Sequence, residues 1–194
     1  MITDTRTKLL DAAEHAVRTR GFDGFSYADL SRAVGIRKAS IHYHFPTKAA
    51  LSSALMTRYH ANLEAACDRI EAQRNTGAGR LLAIVALYRD ALKGGSTLCL
   101  CVSLIGSCES LSDEVIASLR AFRKMMLDRI TAIFELGAQD ATILGSTCAA
   151  VDAQSTLALL EGAHLAARIE QSEKVFDGAT DILTHRFCRR HSPD

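Results

Sequence analysis

The sequence predicts an all-α fold, and three observations support this. Apolar residues recur at three- and four-residue spacing along most of the chain, which is the period of an amphipathic helix. The 194 residues include only two prolines, and the alternating pattern typical of strands is weak. Short joints rich in Gly, Ser and Asp separate the periodic segments. We therefore expect three N-terminal helices followed by a domain of about six helices.

The first two helices begin and end at residues with strong local preferences. The first helix is predicted from about 4 to 20, with Thr3 as its N-cap, and Gly21 ends it. Ser26 and Asp29 have the spacing of a capping box at the start of the second helix.

The third helix is expected from about 37 to 45, after a left-handed turn at Gly35. Thr47 then caps a long helix whose apolar stripe includes Leu51 and Leu55. Further helices are predicted at about 79–93, 98–108, 113–136, 146–170 and 175–189.

Two short helices joined by a glycine turn, at residues 26–45, indicate a helix-turn-helix. Ile41 and Phe45 are four residues apart and can anchor the second of these helices, which turns its polar residues to another face. That face fits the major groove of DNA, where Lys, Ser and Tyr side chains can read base edges. Donors at the margins of the helix can bind phosphates. The predicted DNA-binding residues are Ser26, Tyr27, Arg37, Lys38, Ser40, His42, Tyr43, His44, Thr47 and Lys48.

The charge distribution favours the same end of the chain for a nucleic acid. Residues 1–60 contain nine Lys or Arg and five Asp or Glu, whereas the remainder contains 14 and 17. The net charge of the whole chain is only +1. The positive excess therefore lies on the predicted helix-turn-helix segment, as expected of a DNA-binding module.

The segment GFDGFSYADLSRAVGIRKASIHYHFPTKAAL resembles the TetR family of regulators over roughly residues 5–55. The resemblance implies about nine helices, a homodimer, and release of DNA when an effector enters the C-terminal domain. It also implies base reading by Lys38, Ser40 and Tyr43, and phosphate binding by His42 and Lys48. Two positions depart from the family pattern: Arg37 replaces a usual Ser or Thr, and His42 replaces a common tyrosine.

The C-terminal domain is expected to bind a small molecule. The segment TLCLCVSLIGSCES is almost wholly apolar, and with flanking helices it could line a cavity for a mostly apolar ligand. The alternative is an ordinary filled core. The candidate effector-binding residues are Leu87, Tyr88, Cys101, Leu104, Ile105, Cys108, Phe122 and Met126.

Six cysteines allow a second interpretation, a cysteine-based redox or electrophile sensor. If the helix at 98–108 is continuous, Cys101 and Cys108 share a face while Cys99 points nearly opposite. The Cys99-x-Cys101 spacing is too short for a structural zinc site, so we expect no metal and no cofactor. Inert buried thiols are the remaining alternative. The cysteines are Cys67, Cys99, Cys101, Cys108, Cys148 and Cys188.

The last two helices are predicted to form a dimer interface. Their apolar stripes could build a symmetric four-helix contact, or could instead pack within one chain. A symmetric dimer would present two recognition helices to a roughly palindromic operator. The predicted interface residues are Leu157, Leu160, Ala163, Ala167, Val175, Ala179, Ile182 and Arg186.

Together these features predict a DNA-binding domain at 1–48 and an effector-binding and dimerisation domain at 49–194. The expected function is that of a dimeric repressor, released from double-stranded operator DNA by a small effector. A helical enzyme using Glu161 and His164, or a protein-interaction adaptor, is the alternative from another class. No nucleophile elbow, phosphate loop or dinucleotide motif is present, so we expect no enzyme. No apolar run is long enough to span a membrane, and a cytoplasmic location is expected.

Overall fold

A computed structural model describes residues 4–187, in which the secondary structure is helical apart from one isolated β-bridge between Ile143 and Phe187. The all-α prediction is confirmed. Thr3, Cys188 and the predicted end of the last helix lie outside the described residues. No helix among residues 4–187 combines the length and apolarity needed to cross a lipid bilayer. The described part of the chain forms α1 Thr5–Arg20, α2 Tyr27–Val34, α3 Lys38–His44, α4 Lys48–Gln73, α5 Gly77–Ala91, α6 Leu100–Ile105, α7 Asp113–Gln139, α8 Ala149–Glu170 and α9 Glu173–Thr184.

The described residues divide into two compact units. Unit 1 consists of residues 4–63 and 97–122, and unit 2 consists of residues 64–96 and 123–187. Unit 1 therefore contains α1, α2, α3 and α6 with the first parts of α4 and α7. Unit 2 contains α5, α8, α9 and the remaining parts of α4 and α7. The functional boundary expected at residue 48 stays a prediction, since packing divides the chain elsewhere in α4.

In unit 1, α1 turns one apolar face inward. Leu10, Ala13 and Val17 on this face are all buried, as their three- and four-residue spacing predicts. The helix packs against α2 and α6. It ends at Gly21, whose amide donates a hydrogen bond to the Val17 carbonyl. The first helix therefore forms the support on which α2 rests.

The start and end of α2 follow the predicted local chemistry. The Asp29 amide donates to the Ser26 side chain, and the Ser26 amide donates to the Asp29 carboxylate at 2.8 Å. This is the reciprocal capping box that the sequence predicted. At the other end Gly35 has φ 74° and ψ 31°, a left-handed conformation that favours glycine. Both ends of α2 are thus fixed by local sequence.

The sixth helix is shorter than the predicted helix at 98–108. The Leu98 amide donates to the Arg18 carbonyl at 3.0 Å, and the Arg18 Nε donates to the Leu98 carbonyl at 2.8 Å. Because both backbone groups of Leu98 bind α1, the helix begins only at Leu100. It ends at Ile105, and a 3-10 turn follows at Cys108–Ser110.

In unit 2, the most extensive helix pairing is between α8 and α9. His164 of α8 is completely buried, and its ring meets those of Tyr88 and Phe176 edge-on at centroid distances of 5.6 and 5.5 Å. Its Nε2 donates to the Tyr88 carbonyl at 2.8 Å, because a carbonyl can only accept. A hydrogen-bonded aromatic cluster therefore joins α5, α8 and α9.

Gly77 allows α5 and α7 to approach closely within unit 2. A Cβ atom placed on Gly77 would lie 2.3 Å from the Gly137 backbone, far inside van der Waals contact. The Gly77 amide also donates to the Asp140 carboxylate at 2.8 Å. The crossing depends on the absence of a side chain at this point.

Candidate nucleic-acid interface

The third helix is held against the rest of unit 1 by two buried anchors. Ile41 and Phe45 are 0% and 2% exposed, as their four-residue spacing predicted. The Tyr27 hydroxyl of α2 donates to the Phe45 carbonyl at 2.8 Å. Because apolar contacts and a buried hydrogen bond fix one side of α3, its opposite side is presented in a defined orientation.

The opposite side of α3 is open to solvent. Tyr43 is 85% exposed, and Lys38 and Ser40 are exposed as well. Ser40, Tyr43 and His44 line an open groove of about 500 Å³ that also borders Thr5 of α1. A large aromatic side chain left almost fully in water within an otherwise packed unit indicates a surface kept for a partner.

Positive charge at this face has no internal carboxylate partner. Among the described residues, neither Arg37 nor Lys38 forms an ion pair, whereas Arg32 of α2 is paired with Asp29. His42 is exposed, with its Nδ1 3.2 Å from the Pro46 carbonyl. Unpaired cations beside an exposed helix suit the phosphates of nucleic acid.

Tyr27 and Lys48, two of the predicted DNA-binding residues, direct their polar groups to backbone carbonyls inside unit 1. Tyr27 is buried, and this burial raises the pKa of its hydroxyl to about 12. The Lys48 ammonium donates to the carbonyls of Phe22 and Phe25 and lies 4.3 and 4.4 Å from their ring centroids. Burial lowers the pKa of Lys48, with the charge of Asp23 opposing that effect. Both residues stabilise the helix-turn-helix from within.

The start of α4 carries the expected cap. Thr47 is exposed, and its Oγ1 accepts a hydrogen bond from the Ala50 amide at 3.0 Å. Ser26 is also exposed at the start of α2. The two hydroxyls therefore mark helix N-termini at the surface, where free amide groups attract anions.

Arg6 of α1 is a candidate phosphate ligand that sequence reasoning missed. Its side chain is exposed, and the guanidinium carbon lies 5.2 Å from the Phe45 ring centroid. It is thereby held near the base of α3. The sequence signal was the positive charge on the first turn of α1, but its nearness to α3 depends on tertiary packing.

The predicted effector-binding residues are distributed over both units. In unit 1, Phe122 is buried against the rings of Tyr59 and His60. Ile105 and Cys108 instead border an open concavity with polar neighbours. In unit 2, Tyr88 belongs to the His164 cluster. Of the eight, Cys101, Leu104, Phe122, Tyr88 and Met126 are buried, Leu87 is partly buried, and Ile105 and Cys108 are exposed.

The predicted dimer residues of α8 are already packed inside unit 2. Leu157, Leu160, Ala163 and Ala167 are 0–3% exposed in the single chain, so they are not available to a second copy. Val175 and Ala179 of α9 are partly buried and Ile182 is 61% exposed. Arg186 forms a bidentate ion pair with Asp152. The exposed apolar face of α8 lies elsewhere, at Val151, Ala158, Leu165 and Ile169.

The cysteines and the Glu161–His164 pair also lie differently from expectation. Cys108 falls outside the shortened α6, so it does not share a helical face with Cys101. Glu161 binds Arg123, and the ring of the buried His164 binds a backbone carbonyl. Among residues 4–187, no group of three His, Cys, Asp or Glu side chains is placed to hold a metal ion.

The fold and the exposed third helix define a helix-turn-helix protein of the regulatory class. A family model described as bacterial regulatory proteins, tetR family, matches residues 9–55. The HTH-type transcriptional regulator TtgR of Pseudomonas putida is 35% identical over 57 residues, which are 29% of this chain and 27% of that relative. The matched segment therefore spans about a quarter of the curated relative.

Solved structures extend the likeness over nearly the whole chain. A TetR family transcriptional regulator from Agrobacterium tumefaciens has 28% identity and a TM-score of 0.89, covering 94% of this chain and 97% of its own. A TetR transcriptional regulator from Legionella pneumophila has 21% identity and a TM-score of 0.86, covering 96% and 99%. Residues 9–55 match the tetR family model, and the chain shares the fold of these solved TetR-family regulators.

Proposed function

We propose that this protein is a DNA-binding transcriptional regulator that inserts α3 into the major groove. The observation that carries the proposal is the opposite exposure of the two sides of this helix, with Ile41 buried and Tyr43 85% exposed. Lys38 can donate to guanine O6 or N7, Ser40 can donate to an acceptor edge or accept from a donor edge, and Tyr43 can contact a thymine methyl. The match of residues 9–55 to the tetR family model supports this assignment.

Phosphate contacts around α3 fix its position on the duplex. Arg37 and His42 belong to α3 or its N-cap, and Thr47 and Ser26 are exposed at helix starts. The exposed Arg6 lies near the Phe45 ring at the end of α3. Such contacts supply affinity but carry no sequence information. Several of them together give an affinity that falls steeply with salt concentration.

We infer that the active form is a homodimer joined through the exposed apolar residues of α8 and α9. Ile169 is 79% exposed, Ile182 61%, Val151 58% and Leu165 49%. Exposed apolar side chains concentrated on neighbouring helices of one unit favour burial against an identical face. A twofold dimer reads a roughly palindromic operator with half-sites about one DNA turn, or a multiple of it, apart.

Regulation follows from a small, mostly apolar effector bound in the C-terminal helices, which releases a repressor from its operator. The effector shifts the population towards a state with misplaced recognition helices, so operator DNA must weaken effector binding by the same factor. Repression, rather than activation, is the expectation carried by the family.

The proposal is tested by selecting duplexes from random DNA with the full chain, then measuring the affinity of variants for the selected sequence. Lys38→Ala and Tyr43→Ala are expected to lose about 1–3 kcal/mol of binding free energy each. Lys124→Ala removes an exposed lysine of unit 2 and is the matched control. Selection of no preferred duplex at low salt, or equal affinity of Lys38→Ala and the control, contradicts the proposal.

A further inference from the structure

Two cysteines and a tyrosine form a buried cluster in unit 1 that DNA binding does not use. Cys99 precedes α6 and Cys101 lies in its first turn, and the side chains are 3% and 5% exposed. Tyr59 of α4 places its hydroxyl oxygen 3.1 Å from the Cys99 sulfur. Neither cysteine is part of a disulfide. The cluster brings a nucleophile, a second thiol and a hydroxyl donor together.

The surroundings of Cys99 favour its thiolate. The pKa of Cys99 is lowered, mainly by the hydrogen bond from the Cys101 thiol, with the Tyr59 hydroxyl and the amides of Val102 and Cys101 adding to the effect. Burial opposes this. At Cys67, by contrast, burial dominates and raises the pKa of the thiol. Cys99 therefore has the thiolate character that reactive cysteines require, and Cys67 does not.

Burial restricts the reagent to a small molecule. Cys99 is only 3% exposed, which excludes bulky electrophiles, whereas a hydroperoxide such as hydrogen peroxide is close to water in size. Ser103 lies one helical turn beyond Cys99, and its amide donates to the Cys99 carbonyl. Its hydroxyl is buried and has no hydrogen-bond partner among the described residues. A buried donor of this kind is costly unless used, and it can bind a peroxide oxygen.

We propose that Cys99 and Cys101 form a peroxide-sensing pair, in which oxidation of Cys99 leads to a Cys99–Cys101 disulfide that weakens DNA binding. The effect of this disulfide on DNA binding rests on the proposed function. Residues two apart have Cα atoms within about 7 Å, and a disulfide accepts about 4.4–6.8 Å. Cys108, on the exposed 3-10 turn, is not part of the pair.

The chemistry balances in two steps. The Cys99 thiolate attacks the terminal oxygen of the hydroperoxide, forming an S–O bond and breaking the O–O bond, and the departing alkoxide takes up a proton to become an alcohol, or water from hydrogen peroxide. The Cys101 thiol then loses its proton and attacks the Cys99 sulfur. An S–S bond forms, the S–O bond breaks, and hydroxide leaves with that proton as water. The thiol pair loses two electrons and the peroxide gains them.

Leu98, the residue before Cys99, connects the cysteine cluster to the helix-turn-helix. Leu98 is bound to Arg18 of α1 by two hydrogen bonds, and α1 packs against α2, which packs against α3. A disulfide that redirects the chain at Cys99 must disturb Leu98 and hence α1. All of these elements lie in unit 1, so the link between thiol and recognition helix is short.

The thiol chemistry is tested on the full chain without DNA, by hydrogen peroxide treatment, alkylation of remaining thiols and mass analysis of the tryptic peptide 94–120. In the wild type and in Cys108→Ser, this peptide is expected to lose two hydrogen atoms, and Cys99 and Cys101 should resist alkylation. Cys99→Ser and Cys101→Ser should not form this bond, and Cys101→Ser should hold a Cys99 sulfenic acid that dimedone traps. A bond to Cys108, or a peptide that stays reduced, overturns the proposal.

Tyr59→Phe tests the activation of Cys99. Loss of its hydrogen bond raises the pKa of Cys99, so peroxide oxidation at neutral pH should slow about threefold or more. Tyr88→Phe removes a buried tyrosine hydroxyl from unit 2 and is the control. Thermal melting of each reduced variant shows whether it is folded, and so separates slow oxidation from misfolding. A folded Tyr59→Phe protein that oxidises at the wild-type rate contradicts the proposed role of Tyr59.

The regulatory step is tested with the selected duplex. Peroxide should reduce the affinity of the wild type at least tenfold, dithiothreitol should restore it, and Cys99→Ser should not respond. If the disulfide forms but affinity is unchanged, the regulatory part of the proposal is wrong. If the reduced protein binds no duplex, the proposed function fails, while the mass analysis still decides the thiol chemistry.

Discussion

Tyr27 and Tyr43 show how one residue type serves opposite purposes in neighbouring helices. Tyr27 is buried and donates to the Phe45 carbonyl, whereas Tyr43 is 85% exposed. The first hydroxyl therefore contributes to stability and the second is free for a ligand. Their identical chemistry makes the two positions a matched pair for separating folding from DNA binding.

Tyr27→Phe is expected to lower the free energy of unfolding by about 0.5–1.5 kcal/mol, because it removes a buried hydrogen bond while keeping the ring. Urea denaturation measures the change. Tyr43→Phe is the control and should leave the denaturation midpoint unchanged. An equal loss of unfolding free energy in both variants would mean that the Tyr27 hydroxyl does not stabilise the fold.

Lys48 is bound inside unit 1, although a lysine side chain is usually exposed to solvent. Its ammonium is bound to two backbone carbonyls and lies over two phenylalanine rings, so its charge is partly withdrawn from solvent. A lysine at the start of α4 predicted a phosphate ligand. Phe22 and Phe25, which enclose it, lie 26 and 23 residues away in sequence, so this internal role depends on tertiary packing.

At the scale of single elements, α2 depends on its first turn. The capping box between Ser26 and Asp29 satisfies amides that would otherwise have no partner. The hydrogen bonds from Ser26 also lower the pKa of Asp29. Because α2 carries Tyr27 and packs against α3, this cap helps to position the recognition helix.

Ser26→Ala is expected to cost about 0.5–2 kcal/mol of stability, the usual cost of losing an N-cap. Ser26→Thr should restore most of the loss. Chemical denaturation with fluorescence or circular dichroism gives the comparison, with Ser155→Ala on the exposed face of α8 as control. A Thr variant as unstable as the Ala variant would argue against a capping role.

The start of α8 is tied to the segment after α9 by an ion pair. Arg186 donates to both carboxylate oxygens of Asp152 at 2.7 and 3.1 Å, and Ser146 donates at 2.6 Å. The Arg186 hydrogen bonds, helped by Ser146, lower the pKa of Asp152. The folded protein thus holds this carboxylate ionised at pH values where the unfolded chain protonates it.

A lowered folded-state pKa stabilises the protein above the unfolded pKa of about 3.9, and this stabilisation is lost as pH falls further. Asp152→Asn should therefore be less stable near pH 7, with the difference from wild type shrinking from about pH 5 downward. Denaturation midpoints between pH 7 and pH 3 measure this. Arg186→Met should show the same trend, and a pH-independent difference in either variant contradicts the assignment.

Local elements of this fold could be predicted from sequence because adjacent residues determine them. The Ser26–Asp29 box, the Gly35 turn and the anchors Ile41 and Phe45 follow from spacing alone. The inner face of α8 could not, because apolar residues occupy several sides of this helix. Which side packs inward depends on α5 and α9, and the predicted dimer stripe proved to be the buried one.

The candidate site shows the same division between local and tertiary information. Exposure of Ser40 and Tyr43 followed from the helical period once the anchors were known. The burial of Tyr27 depends on a carbonyl 18 residues away, and the Cys99–Tyr59 contact joins residues 40 apart. Neither contact leaves a periodic signal in the sequence.

At the scale of the whole molecule, the exposed apolar face of α8 and α9 predicts association. Leu165→Glu with Ile169→Glu places two charges in the proposed interface and should convert a dimer into a monomer, because unpaired buried charges are strongly unfavourable. Sedimentation equilibrium measures the mass of the double variant in solution. Its affinity for the operator should fall as the dimer is lost.

Leu82→Glu is the control for that experiment, because Leu82 is 45% exposed on α5 and outside the proposed interface. It should keep the dimer. A wild type with the mass of one chain, or a double variant that stays dimeric, would contradict the proposed interface.

The crossing of α5 and α7 at Gly77 also constrains how this protein can evolve. A mutant library covering every position should be depleted of all replacements at Gly77, alanine included, although this residue takes part in no chemistry. Homologues that keep this crossing must keep a glycine here, so sequence invariance at this site would reflect space between backbones and carry no information about which operator or signal the protein recognises.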